Sequence, residues 1–145
     1  MNKCQLKLGH ININHLFNKV QDLNVYNQQT GQFHIFGVSE SRLDANVDDH
    51  QIELQDYVVY RRDGISPGQT GIAVYVHKSI SNSVKRRYDL ETKQIEIVWL
   101  EAKPSKSSPI LIGYIYRNPA SLSFWYDDFS LMMDSLDKKK CDTLR

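Results

Sequence analysis

The stretch FHIFGVSESRLD, residues 33–44, decides the fold of this chain. Its first half is a short run of aromatic and β-branched residues, which is typical of a buried strand. The run ends at Ser39 and Glu40, and the chain then turns polar. Ligands of α/β proteins collect outside the carboxyl ends of strands, so Glu40 is a candidate site residue. The alternative is that Glu40 only ends the strand and faces water, as most glutamates do.

The chain upstream of this stretch predicts a strand followed by a helix. Alternating apolar residues predict a strand over residues 5–13. From Leu16 the apolar residues recur at helical spacing, which predicts an amphipathic helix over about residues 16–27. Asn14 is its expected N-cap. Strand, helix and strand together make a βαβ unit, whose two strands we expect to be parallel.

Four segments farther along the chain have the composition of strands. Residues 57–60 and 71–77 flank a loop rich in glycine and should pair antiparallel. Residues 94–102 and 109–116 are separated by a turn and should form a hairpin. The last segment is apolar on both faces, which predicts an internal strand with a layer on each side. The intervening residues 79–90 are polar.

A second helix is predicted near the end of the sequence. A stripe of apolar residues runs from Trp125 to Leu136 at helical spacing, which predicts a helix over about residues 122–136. Ser121 is the expected N-cap. The sequence has no repeat, low-complexity tract or linker. We therefore predict one α/β domain over residues 1–145, with about six or seven strands in a mixed sheet and two helices.

The composition restricts the class of protein. A chain of 145 residues with 41% hydrophobic and 24% charged residues is ordinary for a globular domain. Its formal net charge of +1 means that any surface for nucleic acid must be local. Cys4 and Cys141 have neither metal nor redox spacing, which predicts a reduced chain, with a disulfide between the two as the alternative. No stretch resembles a signal peptide or a membrane span, so we expect an intracellular protein without a membrane partner.

Polar residues fall at the ends of three predicted strands: Asn12, Glu40 and Tyr116, with Arg117 next to the last. A carboxylate is a hard oxygen ligand suited to Mg²⁺, whose shell phosphate and water commonly complete. A tyrosine hydroxyl and an asparagine amide can donate hydrogen bonds to phosphate oxygens. Each residue has a simpler alternative. Asn12 could start the helix, Tyr116 could belong to the core, and Arg117 could pair with a surface acid.

Five motifs, in chain order, resemble those of one known family. They are the segments His10–Val20, Val38–Leu43, Tyr60–Val76, Ile97–Glu101 and Ile112–Pro119. Together they resemble the first part of the endonuclease/exonuclease/phosphatase superfamily, whose fold is the deoxyribonuclease-I-like α/β sandwich. The Tyr-Arg-Asn-Pro sequence of the fifth motif is most similar to endonuclease domains of LINE-type non-LTR retrotransposons.

The resemblance implies an activity and a catalytic set. The activity is Mg²⁺-dependent hydrolysis of a phosphodiester, which nicks target DNA for retrotransposition. Glu40 would bind the Mg²⁺, for which Mn²⁺ could substitute, and Asn12 would help to orient metal and phosphate. Tyr116 would contact the scissile phosphate. A retrotransposon endonuclease would act in the nucleus.

The resemblance also implies a set of substrate-binding residues. The DNA backbone would be contacted by Arg117, Arg61 and Arg62. Asn14 lies where repair enzymes of the superfamily often carry an aspartate, which places it near the substrate. DNA is therefore the partner that the resemblance implies.

The printed chain contains only part of the machinery that the resemblance implies. The family carries a Gly-Asp-Phe-Asn motif and a Ser-Asp-His motif after the second helix, and neither occurs in these 145 residues. Hydrolysis needs an oriented water as well as a polarised phosphate. We therefore expect the chain by itself to be inactive. We also expect a truncated fold with roughly the first of its two sheets, whose uncovered apolar face would favour self-association.

Two alternative functions stay open. The chain could be a catalytically dead module that binds nucleic acid or protein through the basic runs at residues 61–62, 85–87 and 138–140. Solvated surface charge is the simpler explanation of such runs. A phosphatase of the same superfamily would share the metal chemistry and differ in its substrate pocket.

Overall fold

The computed structural model describes residues 5–30, 32–65, 68–121 and 124–143. These residues form a mixed α/β structure with two α-helices and seven strands. In chain order the elements are β1 (Leu8–Asn12), α1 (Val20–Gln29), β2 (Ile35–Ser39), β3 (Tyr57–Arg62), β4 (Ile72–His77), β5 (Val84–Arg86), β6 (Glu96–Ala102), β7 (Ile110–Tyr116) and α2 (Phe124–Thr143).

The strands form two sheets. The first sheet has the order β1-β2-β4-β3, and the second has the order β5-β6-β7. β1 and β2 are parallel, and the other neighbouring pairs are antiparallel. The parallel βαβ pair, the antiparallel β3–β4 pair and the β6–β7 hairpin confirm the predictions. The prediction of one sheet is wrong, because β5, β6 and β7 form a separate sheet with β6 in its centre.

β6 is buried on both faces, because one face packs against the first sheet and the other packs against α2. One face of β6, with Val98 and Leu100, lies in a cluster with Ile72 and Val74 of β4. Its other face, with Trp99, packs against residues of α2. The outer face of the first sheet is covered by α1 and by the segment before β3. The order of layers is therefore helix, sheet, sheet, helix.

The uncovered apolar face was predicted on residues 94–102 and 109–116, but β6 is covered by protein and Ile112 and Tyr114 of β7 are buried. The prediction that residues 109–116 form an internal strand is wrong, because β7 lies at the end of the strand order, and Ile110 is exposed.

The start of the first helix differs from its prediction. Phe17–Lys19 form a short 3-10 helix, and the α-helix begins only at Val20. Asn14 does not cap either of these helices, since its side-chain oxygen accepts a hydrogen bond from Arg42 Nε at 2.9 Å. The amine of Lys19 instead donates to the backbone carbonyl oxygens of Ile13 and Asn14.

The second helix confirms its predicted buried stripe and extends beyond the predicted end. Met132 and Leu136 are buried in the cluster with β6, and Trp125 and Phe129 pack against it. The helix continues to Thr143. Its predicted first residues, and with them the expected cap, involve residues 122–123, which lie outside the described residues. No helix in the described part of the chain has both the length and the apolar character needed to cross a membrane.

Candidate functional site

Three loops meet at one end of the first sheet. The β1 loop (residues 13–16) and the β2 loop (residues 40–44) follow two parallel strands, so both leave the sheet at the end where these strands have their carboxyl termini. The β4 loop (residues 68–71) leads into the strand that pairs with β2. Ligands of α/β proteins bind at this carboxyl end of the strands.

Backbone hydrogen bonds join the three loops. The amide of His15 donates to the carbonyl of Glu40 at 2.9 Å, which joins the β1 loop to the β2 loop. The amide of Arg42 donates to the carbonyl of Thr70 at 2.7 Å, which joins the β2 loop to the β4 loop. The position of Glu40 is therefore fixed from both sides.

The β1 and β2 loops contain residues in an unfavourable backbone conformation. Glu40 (φ 53°) and Arg42 (φ 50°) lie in the left-handed region, as do Asn14 (φ 44°) and His15 (φ 76°). For residues other than glycine this conformation costs about 1–3 kcal/mol each and persists only where the surroundings enforce it. Such residues concentrate at functional sites, which supports a site at this end of the sheet.

The three residues predicted to be catalytic lie together. The hydroxyl of Tyr116 donates a hydrogen bond to Glu40 Oε1 across 76 positions of sequence. The hydrogen bonds from Tyr116 and then Asn12, with a smaller effect from Arg42, hold the pKa of Glu40 below its usual value. The same bond to the carboxylate raises the pKa of Tyr116 to about 12, because it favours the phenol. Glu40 is thus ionised and Tyr116 is a donor at neutral pH.

This donor set fits a divalent cation that needs few protein ligands. Glu40 offers an ionised carboxylate whose side chain is 19% exposed, and Asn12 offers an amide oxygen. Within the described ranges no three His, Cys, Asp or Glu side chains cluster closely enough to hold a metal ion. Mg²⁺ needs no such cluster, because one or two carboxylates suffice when water and phosphate complete its shell. Glu40 and Asn12 are the residues that would hold it.

Arg42 is a site residue that the sequence predictions missed. Its Nε bonds to Asn14, and one terminal nitrogen lies 3.7 Å from Glu40 Oε2. The side chain is 40% exposed, so its charge also faces solvent beside the carboxylate. Asn14, predicted to bind substrate, therefore orients an arginine at the site. The available signal was an arginine two positions after the candidate carboxylate.

A cleft of about 460 Å³ opens beside Tyr116. The β4 loop, the start of β6 and the first turns of α2 line it. Glu96, which lies opposite Tyr116 on the neighbouring strand, is only 4% exposed in its wall. Burial raises the pKa of Glu96, although its carboxylate accepts hydrogen bonds from the amides of Gly71 and Thr70. The predictions missed Glu96, whose only signal was a charge within an apolar strand.

Arg117 lies beside Tyr116 and stacks on aromatic rings. Its guanidinium carbon is 4.9 Å from the ring centre of Tyr126 and 5.7 Å from that of Trp125. Such cation–π contacts fix the plane of a guanidinium. Its Nε is buried and has no hydrogen-bond partner in the structure. Trp125 also lines the cleft, so Arg117 remains a candidate for substrate contact.

Arg61 and Arg62 are engaged within the protein. Arg61 forms an ion pair with Asp63 at 2.7 Å, and its side chain is 16% exposed. Arg62 donates to the backbone carbonyls of Ile97 at 3.0 Å and Thr92 at 2.6 Å, which ties the first sheet to the start of β6. The geometry gives both arginines a structural role and lends no support to their predicted contact with DNA.

The basic run at residues 85–87 is also paired with acids. Arg86 and Glu91 form a buried ion pair at 2.8 Å. Arg87 lies 2.7 Å and Lys85 lies 3.3 Å from Glu101. These positive charges are largely neutralised by the protein itself, so the geometry lends no support to a nucleic-acid surface at this run.

The fold and the site define a class of molecule: an α/β domain of two packed sheets, with a polar site built across them around one ionised glutamate. Comparison of the sequence with models of known protein families gave no match, and comparison with curated protein sequences gave none either.

Proposed function

We propose that this chain forms part of a Mg²⁺-dependent DNA endonuclease domain with a deoxyribonuclease-I-like fold, similar to those of LINE-type retrotransposons. The observation that carries the proposal is the hydrogen bond from Tyr116 to Glu40, with Asn12 bonded to the same carboxylate. The arrangement of two mixed or antiparallel sheets between helices is compatible with that fold. The five motifs support the same assignment.

The residues of the site would divide the work of binding a phosphodiester. Bound Mg²⁺ would neutralise charge on a phosphate oxygen. Tyr116, whose one hydroxyl proton is donated to Glu40 in this structure, would donate it to the scissile phosphate instead once Glu40 binds the metal. Arg42, oriented by Asn14, would pair with a neighbouring phosphate of the same strand. These residues account for binding and polarising the phosphate. Orienting the attacking water falls to motifs that the printed sequence does not contain.

The first test measures Mn²⁺ binding by electron paramagnetic resonance, with Mn²⁺ in place of Mg²⁺. Glu40→Gln keeps the shape of the side chain and removes its charge, so we expect at least about tenfold weaker binding. Glu53→Gln, which changes an exposed carboxylate outside the site, should bind like the wild type. Equal affinity of the wild type and Glu40→Gln for Mn²⁺ would remove the metal site from the proposal.

The second test measures nicking of supercoiled plasmid DNA in the presence of Mg²⁺. We expect no nicking by this chain alone, because no motif that orients water occurs in it. Nicking that disappears in Glu40→Ala would overturn that expectation and would show that the residues present suffice. Duplex DNA should nevertheless bind, with an affinity that falls as salt concentration rises, since the contacts are to phosphates.

The cleft favours one alternative, a phosphatase of the same superfamily. A cleft of about 460 Å³ beside Tyr116 is large enough for a small phosphate ester as well as for part of a DNA strand. Competition for the Mn²⁺-loaded protein distinguishes the two substrates. A phosphomonoester that displaces a duplex oligonucleotide at equal or lower concentration would favour the phosphatase. The inactive binding module is less well supported, because the run at residues 85–87 is paired with acids.

A further inference from the structure

We propose that Glu96 is a positioning residue that holds the β2 loop, and with it Glu40, in the geometry of the site. The inference rests on the proposed function, since it concerns the residue assigned there to the metal. Glu96 belongs to the second sheet, whereas the loop it positions follows a strand of the first. The link between them is a short series of hydrogen bonds through the β4 loop.

The first step of the link is the carboxylate itself. Glu96 is 4% exposed and accepts hydrogen bonds from two successive backbone amides, those of Thr70 at 3.1 Å and of Gly71. A buried carboxylate is costly unless it is hydrogen-bonded, and bonds from amides to an ionised group are stronger than neutral ones. The carboxylate thereby fixes the two peptide groups to which the amides of Thr70 and Gly71 belong.

The second step passes through one of these peptide groups. This is the peptide group that joins Thr70 to Gly71. Its N–H, from Gly71, donates a hydrogen bond to Glu96, and its carbonyl oxygen, from Thr70, accepts one from the amide of Arg42 at 2.7 Å. The carbonyl of Gly71 accepts the amide of Ser41 at 3.1 Å. Hydrogen bonds arranged in series polarise and strengthen one another. Glu96 is thus connected to the two amides that directly follow Glu40.

The third step explains why the β2 loop needs this support. Glu40 and Arg42 both hold positive φ angles that their side chains disfavour. Without the bonds at Ser41 and Arg42 the loop would relax toward ordinary backbone conformations, and Glu40 would leave Tyr116. Another carboxylate, Glu91, is largely buried and accepts the amide of Trp99, and its hydrogen bonds, to Trp99 and Arg86, involve none of the three loops. It provides a matched control.

The experiment compares Glu96→Ala with Glu91→Ala by amide hydrogen exchange, read residue by residue with NMR. Both variants should lower global stability. Only Glu96→Ala should speed exchange at Ser41 and Arg42, by about tenfold or more after correction for global stability. Unchanged exchange at these amides in Glu96→Ala, or equal acceleration in Glu91→Ala, would overturn the proposal. If Glu96→Ala does not fold, Glu96→Gln decides by the same measurement, with at least about threefold faster exchange expected.

Mn²⁺ affinity is a second measurement. It would not change if Glu96 contributed only to the stability of the fold. Glu96→Ala should bind Mn²⁺ about tenfold more weakly than the wild type, and Glu91→Ala should bind it equally well. Unchanged Mn²⁺ affinity in Glu96→Ala alongside a metal-binding wild type would overturn the proposal. A wild type that binds no better than Glu40→Gln refutes the proposed metal site instead, and hydrogen exchange then decides the role of Glu96 alone.

Discussion

Gly71 lies where the β4 loop contacts the β2 loop, and its carbonyl accepts the amide of Ser41. Its φ angle is 94°, which residues with a Cβ rarely adopt. A Cβ at this position would also lie 2.4 Å from Ser41 Oγ. Two separate requirements, backbone conformation and close approach, therefore fix glycine here.

We expect Gly71→Ala to lower the free energy of unfolding by about 2–3 kcal/mol, since it adds both strain and a steric clash. Urea unfolding followed by circular dichroism measures this loss. Gly68→Ala is the control for strain alone, because its φ angle is 85° but its nearest neighbour, Asn118 Nδ2, would be 3.5 Å away. That variant should lose about 1 kcal/mol. Equal losses would show that Ser41 does not constrain Gly71.

The phenol of Tyr116 reports the charge of Glu40. The hydrogen bond to this carboxylate is the main reason that the pKa of Tyr116 is raised to about 12, and burial of the phenol adds to the rise. In Glu40→Gln the anion is gone, so we expect the pKa of Tyr116 to fall toward its ordinary value of 10.0. Tyr114 is the internal control, since burial alone raises its pKa to about 12. NMR of ¹³C-labelled tyrosine follows both; an equal shift of the two would contradict the prediction.

At the scale of elements, the turn after β5 is fastened to α2. Arg87 pairs with Asp89 at 2.8 Å, and Lys139 donates to the backbone carbonyl of Asp89 at 2.8 Å. The hydrogen bond from Arg87 is the main reason that the pKa of Asp89 is lowered to about 2. Lys139 also lies 3.9 Å from a carboxylate oxygen of Asp89, so the charge of Asp89 contributes to the contact between the turn and the helix.

We expect Asp89→Asn to cost about 0.5 kcal/mol of stability at pH 7, a small effect because the pair is exposed. A carboxylate with a lowered pKa stabilises the fold above its ordinary pKa of 3.8, and the gain is lost as pH falls through about 2. The difference between variant and wild type should therefore shrink below pH 3.8 and vanish below about pH 2. Urea unfolding at several pH values measures it, and a difference independent of pH would contradict the assignment.

The sequence predicted most of the elements, because apolar periodicity records which faces are buried. The sequence predicted β2 and the buried apolar residues of α2 correctly, since β2 is a continuous apolar run and the apolar residues of α2 recur at helical spacing. It missed β5, whose three residues include two cations and show no alternation. It also predicted Asn14 as the cap of the first helix, because the bond from Arg42 that engages Asn14 joins residues far apart in sequence. The division into two sheets was missed for the same reason, since alternation does not specify which strands pair.

The candidate site was predictable only in part. The motifs singled out Asn12, Glu40 and Tyr116, and the structure brings these three together. Arg42 and Glu96 were missed because their roles depend on hydrogen bonds to other loops. A cationic pair in a sequence does not reveal its partners, which is why paired arginines in β3 looked like a surface for DNA.

At the scale of the whole molecule, the two sheets meet closely over Gly37. A Cβ at this position of β2 would lie 2.0 Å from the ring of Tyr114 on β7. The hydroxyl of that tyrosine donates to the carbonyl of Ile35 at 3.3 Å. The absence of a side chain at Gly37 therefore sets how closely the sheets pack.

We expect Gly37→Ala to push the sheets apart at a cost of about 3 kcal/mol, because overpacking forces backbone shifts. Tyr114→Phe, which removes only the hydroxyl, should cost about 1 kcal/mol. Thermal and urea unfolding compare the two variants. Gly37→Ala should also weaken Mn²⁺ binding, since Tyr116 lies on the displaced strand. Unchanged stability in Gly37→Ala would mean that the sheets tolerate a wider spacing.

The bond between Tyr116 and Glu40 has a consequence for the order of folding. Its partners are 76 residues apart and belong to different sheets, so neither sheet alone contains the site. Contacts of such long range form after local ones, because closing a long loop costs entropy first. A chain whose sheets have formed but not yet docked would have an ordinary glutamate and an ordinary tyrosine. We therefore expect the site to form only when the two sheets dock, so that a partly folded chain lacks the bond between Tyr116 and Glu40.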